Sequence, residues 1–359
     1  MKQGSRTTLH RFQPLADPRW GGFLQRHPRS SVFHTAEWLN ALHRTYGYES
    51  IAVTTCAPGE ELDNAVVFCQ IESWLTGRRL VSLPFCDHCD PLVDDADSDA
   101  VSALLESLQA PAGQLGLRYV EIRPTRSLDT PVGQHPTSHT YWLHRIDLSP
   151  DLDALLHNCH KSSIQRKIVR ADREGLTQEQ GHSDHLLDTF YRLLLLTRRR
   201  HSLPPQPKRW FQNLIGSFGD ALTIRVAKKD GQAIAAILTL RFKDTLVYKY
   251  GCSDERFHQL GGMHFLFWRS IRDAKQDGLR VFDLGRSDYE DQGLITFKDR
   301  WGAERSSITY LRWSASAPSR TASMTTGGPS KGGTVATLFR YVPDSVLRAA
   351  GTLFYKHAG

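Results

Sequence analysis

The chain has 359 residues, of which 40% are hydrophobic and 10% aromatic, enough for a buried core and about two domains of ordinary size. Its formal net charge of +7 favours anionic partners such as RNA, phosphorylated substrates, coenzyme A or an acidic membrane surface. Six cysteines without regular spacing and an N-terminus without an apolar segment indicate free thiols in the cytoplasm. No window approaches the roughly 18 apolar residues of a membrane span, so any membrane contact is expected to be peripheral.

The first third of the chain predicts a polar extension followed by a helix and several strands. Residues 1–30 are polar and contain prolines, and a helix is expected between an N-cap at Thr35 and Gly47. Apolar runs at 50–53 and 65–69 indicate strands, and the stretch 77–83 leads into a loop. A helix over 98–110, ended near Pro111, and a strand over 119–124 follow, so the first domain is expected to end near Pro150.

The loop after residue 83 contains the sequence Cys86-Asp87-His88-Cys89, which invites a zinc or redox interpretation. A structural zinc needs four ligands, and the other nearby cysteines, Cys56 and Cys69, lie on predicted strands thirteen residues apart. We therefore predict no metal. Two interpretations of this loop stay open. It is either a turn in which Asp87 caps backbone N–H groups or a substrate-binding loop.

The second half begins with a predicted N-cap at Ser149 and Pro150 at the first helical position. A basic helix over 160–173 follows; its cations form either a solvated face or a surface that grips tRNA or a phosphorylated acceptor. A helix from His185 then carries Arg198, Arg199, Arg200 and His201 at its C-terminal end, where cations complement the helix dipole.

The core of this half has the order β-β-β-α-β. Two strands joined by an Asp-Gly turn span 222–240, a third covers 246–251, and a helix over 260–277 precedes a strand at 281–284. We expect that strand to stop at Gly285, which puts Arg286 and Ser287 just past its C-terminal end, where α/β sheets often carry their chemistry.

Lys298 is the most unusual residue of the second half, because it sits among apolar neighbours that include Phe297 and Trp301. A buried lysine needs a partner carboxylate or an anionic substrate. The sequence leaves two readings open. In one, Lys298 reaches solvent and pairs with Asp299 or Glu304; in the other, it acts on a substrate.

The sequence FDLGRS, followed by QGLITFKDRWGA and a tyrosine-containing strand, resembles the C-terminal half of the Fem-type peptidoglycan aminoacyltransferases and of their relatives in the GNAT superfamily, including the BioF-type acetyltransferase-like domain of exopolysaccharide loci. The resemblance covers roughly residues 30–313. It implies that Lys298, beside Phe297, stabilises the charge that develops as an amine attacks an acyl ester, and that Trp301 lies by the substrate.

The same resemblance implies further substrate-binding and catalytic residues. The loop Leu83-Pro84-Phe85 and the turn after it make Asp87 a candidate proton acceptor and His88 a substrate contact. The segment TRRRHSLPPQP implies substrate roles for Arg199 and His201, and the family topology does so for Tyr250, Arg286 and Ser287.

In GNAT enzymes the glycine-rich turn that opens the central helix binds the coenzyme pyrophosphate, which implies cofactor-binding roles for Gln259, Gly261 and Gly262. His264 stands where the family pattern has a small residue. The donor therefore stays open between acetyl- or acyl-coenzyme A and aminoacyl-tRNA, with no tightly bound cofactor.

Residues 314–334 form a Ser/Thr/Gly/Pro-rich linker, and residues 335–359 an amphipathic helix. This helix either docks on the protein or serves as a peripheral anchor to the inner membrane.

Together these observations predict an α/β protein of two tandem GNAT-like domains, each a mixed, mostly antiparallel sheet flanked by helices, at residues 31–150 and 151–313. The expected function is transfer of an acyl or aminoacyl group to an amine or hydroxyl of a cell-envelope precursor. Alternatives are a coenzyme A-dependent small-molecule N-acetyltransferase, a non-catalytic binding module in envelope assembly, and an RNA-binding protein.

Overall fold

The structure is a computed structural model that describes residues 8–94, 116–128, 136–314 and 342–358. Its described residues form two compact units. Unit 1 contains those up to Thr140, those from Ser307 to Ser314, and the last turn of the chain from Lys356. Unit 2 contains Tyr141–Ser306 and the described residues up to Tyr355.

Unit 1 is built on a sheet of six strands in the order β1-β2-β3-β4-β5-β12. Every neighbouring pair is antiparallel except β4 and β5, which are parallel. One face of the sheet carries a buried core that includes Phe68, Val120 and Ile122. The strands are β1 (His10–Phe12), β2 (Glu49–Thr54), β3 (Val66–Ser73), β4 (Gly77–Val81), β5 (Tyr119–Ile122) and β12 (Glu304–Ser314).

Two helices precede β2. The predicted helix is confirmed as α2 (Ala36–Tyr46): the Thr35 side chain accepts a hydrogen bond from the Trp38 N–H, and Gly47 ends the helix in a left-handed conformation. The interpretation of residues 1–30 as an extension differs from the structure, because β1 and α1 (Arg19–Arg26) lie there. Their few apolar side chains include Trp20 and Phe23, which are buried in unit 1 and outweigh the polar composition.

Unit 2 repeats the same pairing scheme in the order β6-β11-β10-β9-β8-β7. Its successive pairs are antiparallel except β10 and β11, which are parallel like β4 and β5 of unit 1. The prediction of two domains, each with a mixed and mostly antiparallel sheet, is confirmed. The strands are β6 (Thr137–Asp147), of which the residues from Tyr141 belong to unit 2, β7 (Thr177–Gly181), β8 (Leu222–Lys229), β9 (Gln232–Phe242), β10 (Thr245–Ser253) and β11 (Val281–Asp288).

The helices of unit 2 pack against its sheet, and buried apolar residues of the helices, strands and loops together form its core. The expected cap at Ser149 is wrong: the helix begins two residues later, and the Asp151 carboxylate accepts from the Ala154 N–H. The helices are α3 (Leu152–Asn158), α4 (Arg166–Arg173), which a short π-helix precedes, α5 (Asp184–Arg200), α6 (Lys208–Phe218), α7 (Gly262–Gln276), α8 (Gln292–Asp299) and α9 (Asp344–Ala358).

Several predicted segments fall outside the described residues. These are the helix over 98–110, nearly all of the linker 314–334 and the start of the C-terminal segment. Among the described helices, none combines the length and the apolar character needed to cross a bilayer. Within the same residues, no cluster of three or more histidine, cysteine or acidic side chains could hold a metal ion.

Candidate active site

A cavity of about 210 Å³ lies beside the first turn of α7 in unit 2. Its walls come from α4, β9, the end of β10, the turn before α7, α7 itself and α8. The lining combines apolar and polar side chains: Lys167, Ile234, Ala235, Ser253, Asp254, Phe257, His258, Gly262, Met263, His264 and Phe297. A small concave site with apolar walls and a few polar groups is the usual form of a ligand site.

Two neighbouring strands of unit 2, β10 and β11, separate before β10 reaches the cavity. The parallel pairing of β10 with β11 covers only Thr245–Val247 and Val281–Asp283, although both strands continue for several residues. Beyond this point β10 stays paired with β9 as far as Ser253, and β11 stays paired with β6 as far as Asp288. The two strands therefore diverge toward their C-terminal ends, and Ser253 at the end of β10 lines the cavity.

The two glycines that precede and open α7 are required by close packing. A Cβ on Gly261, whose φ is +77°, would lie 2.8 Å from the Lys167 carbonyl oxygen. A Cβ on Gly262 would lie 3.1 Å from the Ala235 Cβ. Gly262 lines the cavity, whereas the side-chain amide of Gln259 donates to the Arg256 carbonyl oxygen. Packing of α4 and β9 against this turn thus accounts for both glycines, and donor binding by Gln259, Gly261 and Gly262 stays a prediction.

His264 is a buried histidine in the lining of this cavity. The side chain is 9% exposed, and its Nδ1 atom has no hydrogen-bond partner among the described residues. The imidazole packs edge-on against Phe297 and lies nearly parallel to the Trp301 ring, with centroid distances of 5.8 and 6.1 Å. Burial lowers the pKa of His264 to about 3, and the charges of Lys167 and His258 act in the same direction. The ring is therefore neutral at physiological pH.

Three other polar side chains of the lining, Ser253, His258 and Asp254, already have partners. Ser253 Oγ and His258 Nε2 are 2.9 Å apart. The Asp254 carboxylate receives hydrogen bonds from the Arg256 guanidinium at 3.0 and 2.6 Å, and the Arg256 side chain holds the pKa of that carboxyl below its usual value. Lys167 adds a cation to the rim. The lining thus carries positive charge from Lys167, while the one carboxylate in it is neutralised.

Lys298 lies on α8 and is 2% exposed. Its Nζ donates to the carbonyl oxygens of Gly285 and Arg286 at 2.8 and 2.9 Å. The reading in which Lys298 reaches solvent is therefore wrong, because the side chain is buried and its ammonium group donates to backbone carbonyls of β11. Its burial behind this strand leaves the predicted catalytic role untested, while its neighbour Phe297 lines the cavity.

Arg286 and Ser287 lie inside a strand, so the prediction that β11 stops at Gly285 is wrong. The strand continues to Asp288 across a bulge between Asp283 and Arg286, which Gly285 permits with a φ of +70°. The Arg286 guanidinium stacks over the Tyr141 ring at 4.0 Å. Ser287 is buried, and its Oγ has no partner among the described residues.

Two other predicted substrate contacts are core residues. Tyr250 is buried, and its hydroxyl accepts a hydrogen bond from the Trp210 indole N–H at 2.8 Å. Trp301 is 1% exposed and stacks on Phe267 with a centroid distance of 5.4 Å. Packing in the core explains the burial of both aromatic side chains. A substrate role for either residue stays a prediction.

Arg199 holds the C-terminal helix instead of facing the cavity lining. Its guanidinium donates to the Val342 carbonyl oxygen at 3.0 Å and to the Asp344 carboxylate at 2.6 Å. His201 follows directly at the end of α5 and is exposed. The helix dipole thus explains why part of this cation cluster lies at the end of α5, as the sequence suggests. Contacts to α9 explain the position of the Arg199 side chain.

Asp87 and His88 lie in unit 1, in a buried loop with an uncommon backbone. Leu83 and Phe85 both have positive φ values, of 57° and 61°, and such non-glycine residues concentrate at functional positions. His88 is buried with its ring edge-on to Phe33. The Asp87 carbonyl oxygen accepts from the Tyr310 hydroxyl at 2.7 Å.

The loop depends on a residue that sequence reasoning missed. The buried Arg123 guanidinium donates to the Leu83 and Cys86 carbonyl oxygens and pairs with Glu121, and this pairing raises its pKa well above the usual range. Arg123 lies within the predicted strand over 119–124 and directly after the observed strand β5. An Arg two residues after a Glu on one strand face was the signal that could have found it. Cys89 is buried near His34, and burial raises the pKa of its thiol, so it is not a reactive thiolate.

Comparison with known proteins supports these observations. Residues 159–298, which contain most of the cavity lining, match a family model described as an acetyltransferase (GNAT) domain. A structure described as FemX matches with a TM-score of 0.66 at 15% identity, covering 84% of this chain and 97% of that one. A conserved protein of unknown function from Bacteroides thetaiotaomicron matches with a TM-score of 0.54 at 13% identity, covering 81% and 94%.

At these identities the structural matches show a shared fold. A search among curated proteins found no match. The predicted resemblance to Fem-type proteins is confirmed as a likeness of fold. The match of residues 159–298 to an acetyltransferase (GNAT) domain therefore supports an acyltransferase.

Proposed function

We propose that this enzyme transfers an acyl or aminoacyl group to an amine or hydroxyl of a cell-envelope precursor, with the acyl donor bound in the cavity beside α7. The observation that carries the proposal is the cavity itself. It lies within the matched acetyltransferase domain, beside a helix N-terminus and a pair of diverging strands.

The charges around the cavity suit a donor whose acyl group is attached to a phosphate-bearing carrier. Lys167 lies on the rim, and Arg166 and Arg173 of the same helix are exposed. The first N–H groups of α7 have no partners within the helix, which favours an anion at this end. Coenzyme A and the 3′ end of a charged tRNA both carry phosphates on the molecule that bears the acyl group.

The envelope precursor as acceptor is supported by the likeness to FemX over most of both chains. The nucleophile of such an acceptor must lose a proton as it attacks the acyl carbon. The charge on the acyl oxygen requires stabilisation by nearby donors. The role of Asp87 as a proton acceptor stays a prediction from the sequence.

The test is a transfer assay with the full chain. Acetyl-coenzyme A or charged tRNA is mixed with a peptidoglycan pentapeptide precursor, and the product is analysed by mass spectrometry. Met263→Trp, which fills the cavity from its lining, should abolish transfer. Val169→Trp, at a position on α4 that is 66% exposed, should leave it unchanged.

Two results would change the proposal. Acetyl transfer to small amines but not to the precursor would identify a coenzyme A-dependent small-molecule N-acetyltransferase. Equal transfer by wild type and Met263→Trp would show that the donor binds elsewhere.

A further inference from the structure

The turn between β3 and β4 of unit 1 exposes two large apolar side chains. Trp74 is 82% exposed and Leu75 is 59% exposed. The other tryptophans of the chain are all buried or half-buried. The Trp74 ring touches the His357 ring edge-on, with 5.6 Å between the ring centroids, and this contact leaves most of the indole exposed. Packing therefore does not explain an apolar pair at this place, and exposed apolar groups that lie together mark interaction surfaces.

Hydrogen bonds hold this turn in one conformation. The Ser73 hydroxyl oxygen accepts from the backbone N–H groups of Leu75 and Thr76 at 3.2 and 2.9 Å. The carbonyl oxygen of His357 accepts from the Thr76 hydroxyl at 3.0 Å and from the buried Arg79 guanidinium at 2.7 Å. The C-terminal end of α9 thus fastens the β3–β4 turn. A surface that is already ordered loses little conformational freedom when it binds a partner.

Basic side chains adjoin the exposed pair. Arg78 is exposed near the start of β4, and the exposed Arg118 donates from its guanidinium to the Thr76 carbonyl oxygen at 3.3 Å. Lys356 is also exposed and lies in the last turn of α9, next to the residue that holds the β3–β4 turn. Glu72 pairs with Arg78 at 3.2 Å and so balances one of these cations. Together these four charged side chains carry a net positive charge.

This combination matches the surface of an anionic bilayer. Tryptophan is enriched at membrane interfaces, because its ring is apolar while its N–H group can bond to the headgroup region. Leucine adds apolar surface, and neighbouring arginine or lysine attracts anionic headgroups. A stable protein contact buries at least about 600 Å² on each partner, far more than two side chains provide. A bilayer needs no such complementary surface, so it fits a small apolar pair better.

We propose that the β3–β4 turn is a membrane-docking site, at which Trp74 and Leu75 enter the headgroup region of an anionic phospholipid bilayer. The inference goes beyond the proposed function, because it concerns a surface of unit 1 and does not depend on the donor cavity. It also differs from the sequence-based expectation that the helix over 335–359 is the anchor. The end of that helix instead supplies the contacts that hold the turn, through His357.

The experiment measures partition of the full chain onto vesicles by flotation. One set of vesicles contains three parts of phosphatidylcholine to one part of phosphatidylglycerol, and the other contains phosphatidylcholine alone. Both sets are used at about 0.05 M NaCl, and the anionic set also at about 0.5 M. Trp74→Ser removes the exposed ring. Val169→Ser, at a position on α4 that is 66% exposed, is the matched control, and Leu353→Ser, 60% exposed on α9, tests the helix as the anchor.

We expect wild type, Val169→Ser and Leu353→Ser to bind the anionic vesicles equally. Trp74→Ser should bind them at least about tenfold more weakly, because transfer of the ring out of water is lost. Neutral vesicles and high salt should each weaken wild-type binding about fivefold or more, since one cation near an anionic surface contributes about that factor. Thermal unfolding followed by circular dichroism should give the same Tm for Trp74→Ser and wild type, because the side chain is exposed.

Four results would overturn the inference. They are equal binding of anionic vesicles by wild type and Trp74→Ser, equal binding of neutral and anionic vesicles by wild type, no vesicle binding by wild type, and loss of binding in Leu353→Ser alone, which would make α9 the anchor. If wild type bound no vesicles but formed a dimer that Trp74→Ser dissociated, the turn would be an interface between two copies of the chain. Transfer activity without vesicles should be equal in Trp74→Ser and wild type, so failure of this inference leaves the donor cavity unaffected.

Discussion

The ammonium nitrogen of Lys298 lies 2.8 Å from the carbonyl oxygen of Gly285. This hydrogen bond joins α8 to the bulge in β11. A second bond, to the Arg286 carbonyl oxygen, completes this contact. These two hydrogen bonds explain how the fold accommodates a buried lysine in an apolar segment. The bulge turns two carbonyl groups inward, and the lysine satisfies both.

Replacing Lys298 by Met should destabilise the enzyme. The change leaves two buried carbonyl oxygens without a donor, so we expect the free energy of unfolding to fall by about 2 to 4 kcal/mol. Urea denaturation at constant m-value measures this loss. A change below about 0.5 kcal/mol would contradict the role that the contact indicates.

The same variant separates a structural from a catalytic role. At a temperature where Lys298→Met is fully folded, a drop in kcat of more than about a hundredfold would support the predicted charge-stabilising role. Near wild-type kcat in the folded variant would remove Lys298 from the mechanism.

Gly285 should resist substitution because its φ of +70° lies in the left-handed region. Gly285→Ala is expected to cost about 1 to 2 kcal/mol of unfolding free energy. Gly216→Ala is the matched control, because Gly216 lies within α6 and a Cβ there meets nothing within 4 Å. The control should be neutral or slightly stabilising. Equal effects of both substitutions would contradict the strained bulge.

Stability should fall as the pH drops below about 6.5. His264 and His34 are buried and neutral, with their pKa values lowered by burial to about 3 and about 4. Since the unfolded chain takes up these protons near pH 6.5 and the folded chain does not, acid favours unfolding. Each histidine should contribute a loss of about 1.4 kcal/mol between pH 7.5 and 5.5. Removing one titrating group in His264→Phe should reduce the measured loss by that amount, and an unchanged pH dependence would contradict the burial of this ring.

The C-terminal helix α9 should detach when its contact with the segment after α5 is blocked. A Cβ on Gly351 would lie 2.0 Å from the Pro205 carbonyl oxygen, so Gly351→Ala forces the two backbones apart. Hydrogen exchange of residues 344–355 should become at least about tenfold faster in this variant. Thr352→Ala, at an exposed neighbouring position, should leave it unchanged. Equal exchange in both variants would contradict the docking.

Periodicity and capping predicted much of the fold. The helix capped by Thr35 and the hairpin around Asp230 and Gly231 were found because local rules determine them. The continuation of β11 past Gly285 was missed, since glycine usually ends a strand and only pairing with β6 shows that here it forms a bulge. Pairing between distant strands leaves no mark in a local pattern.

The site was predictable only in part. The turn before α7 was identified from its glycines, and His264 was noted as a departure from the family pattern. Its burial depends on rings from α7, α8 and the turn after α8 that come together only in the fold. Arg199 was assigned to substrate because its partner Asp344 lies 145 residues away, beyond the reach of any local rule.

Calorimetric titration with acetyl-coenzyme A tests the central claim, that the cavity beside α7 binds the acyl donor, most directly. Wild type and Val169→Trp should show saturable binding with the same affinity, and Met263→Trp should show none. Saturable binding by Met263→Trp at wild-type affinity would contradict the account.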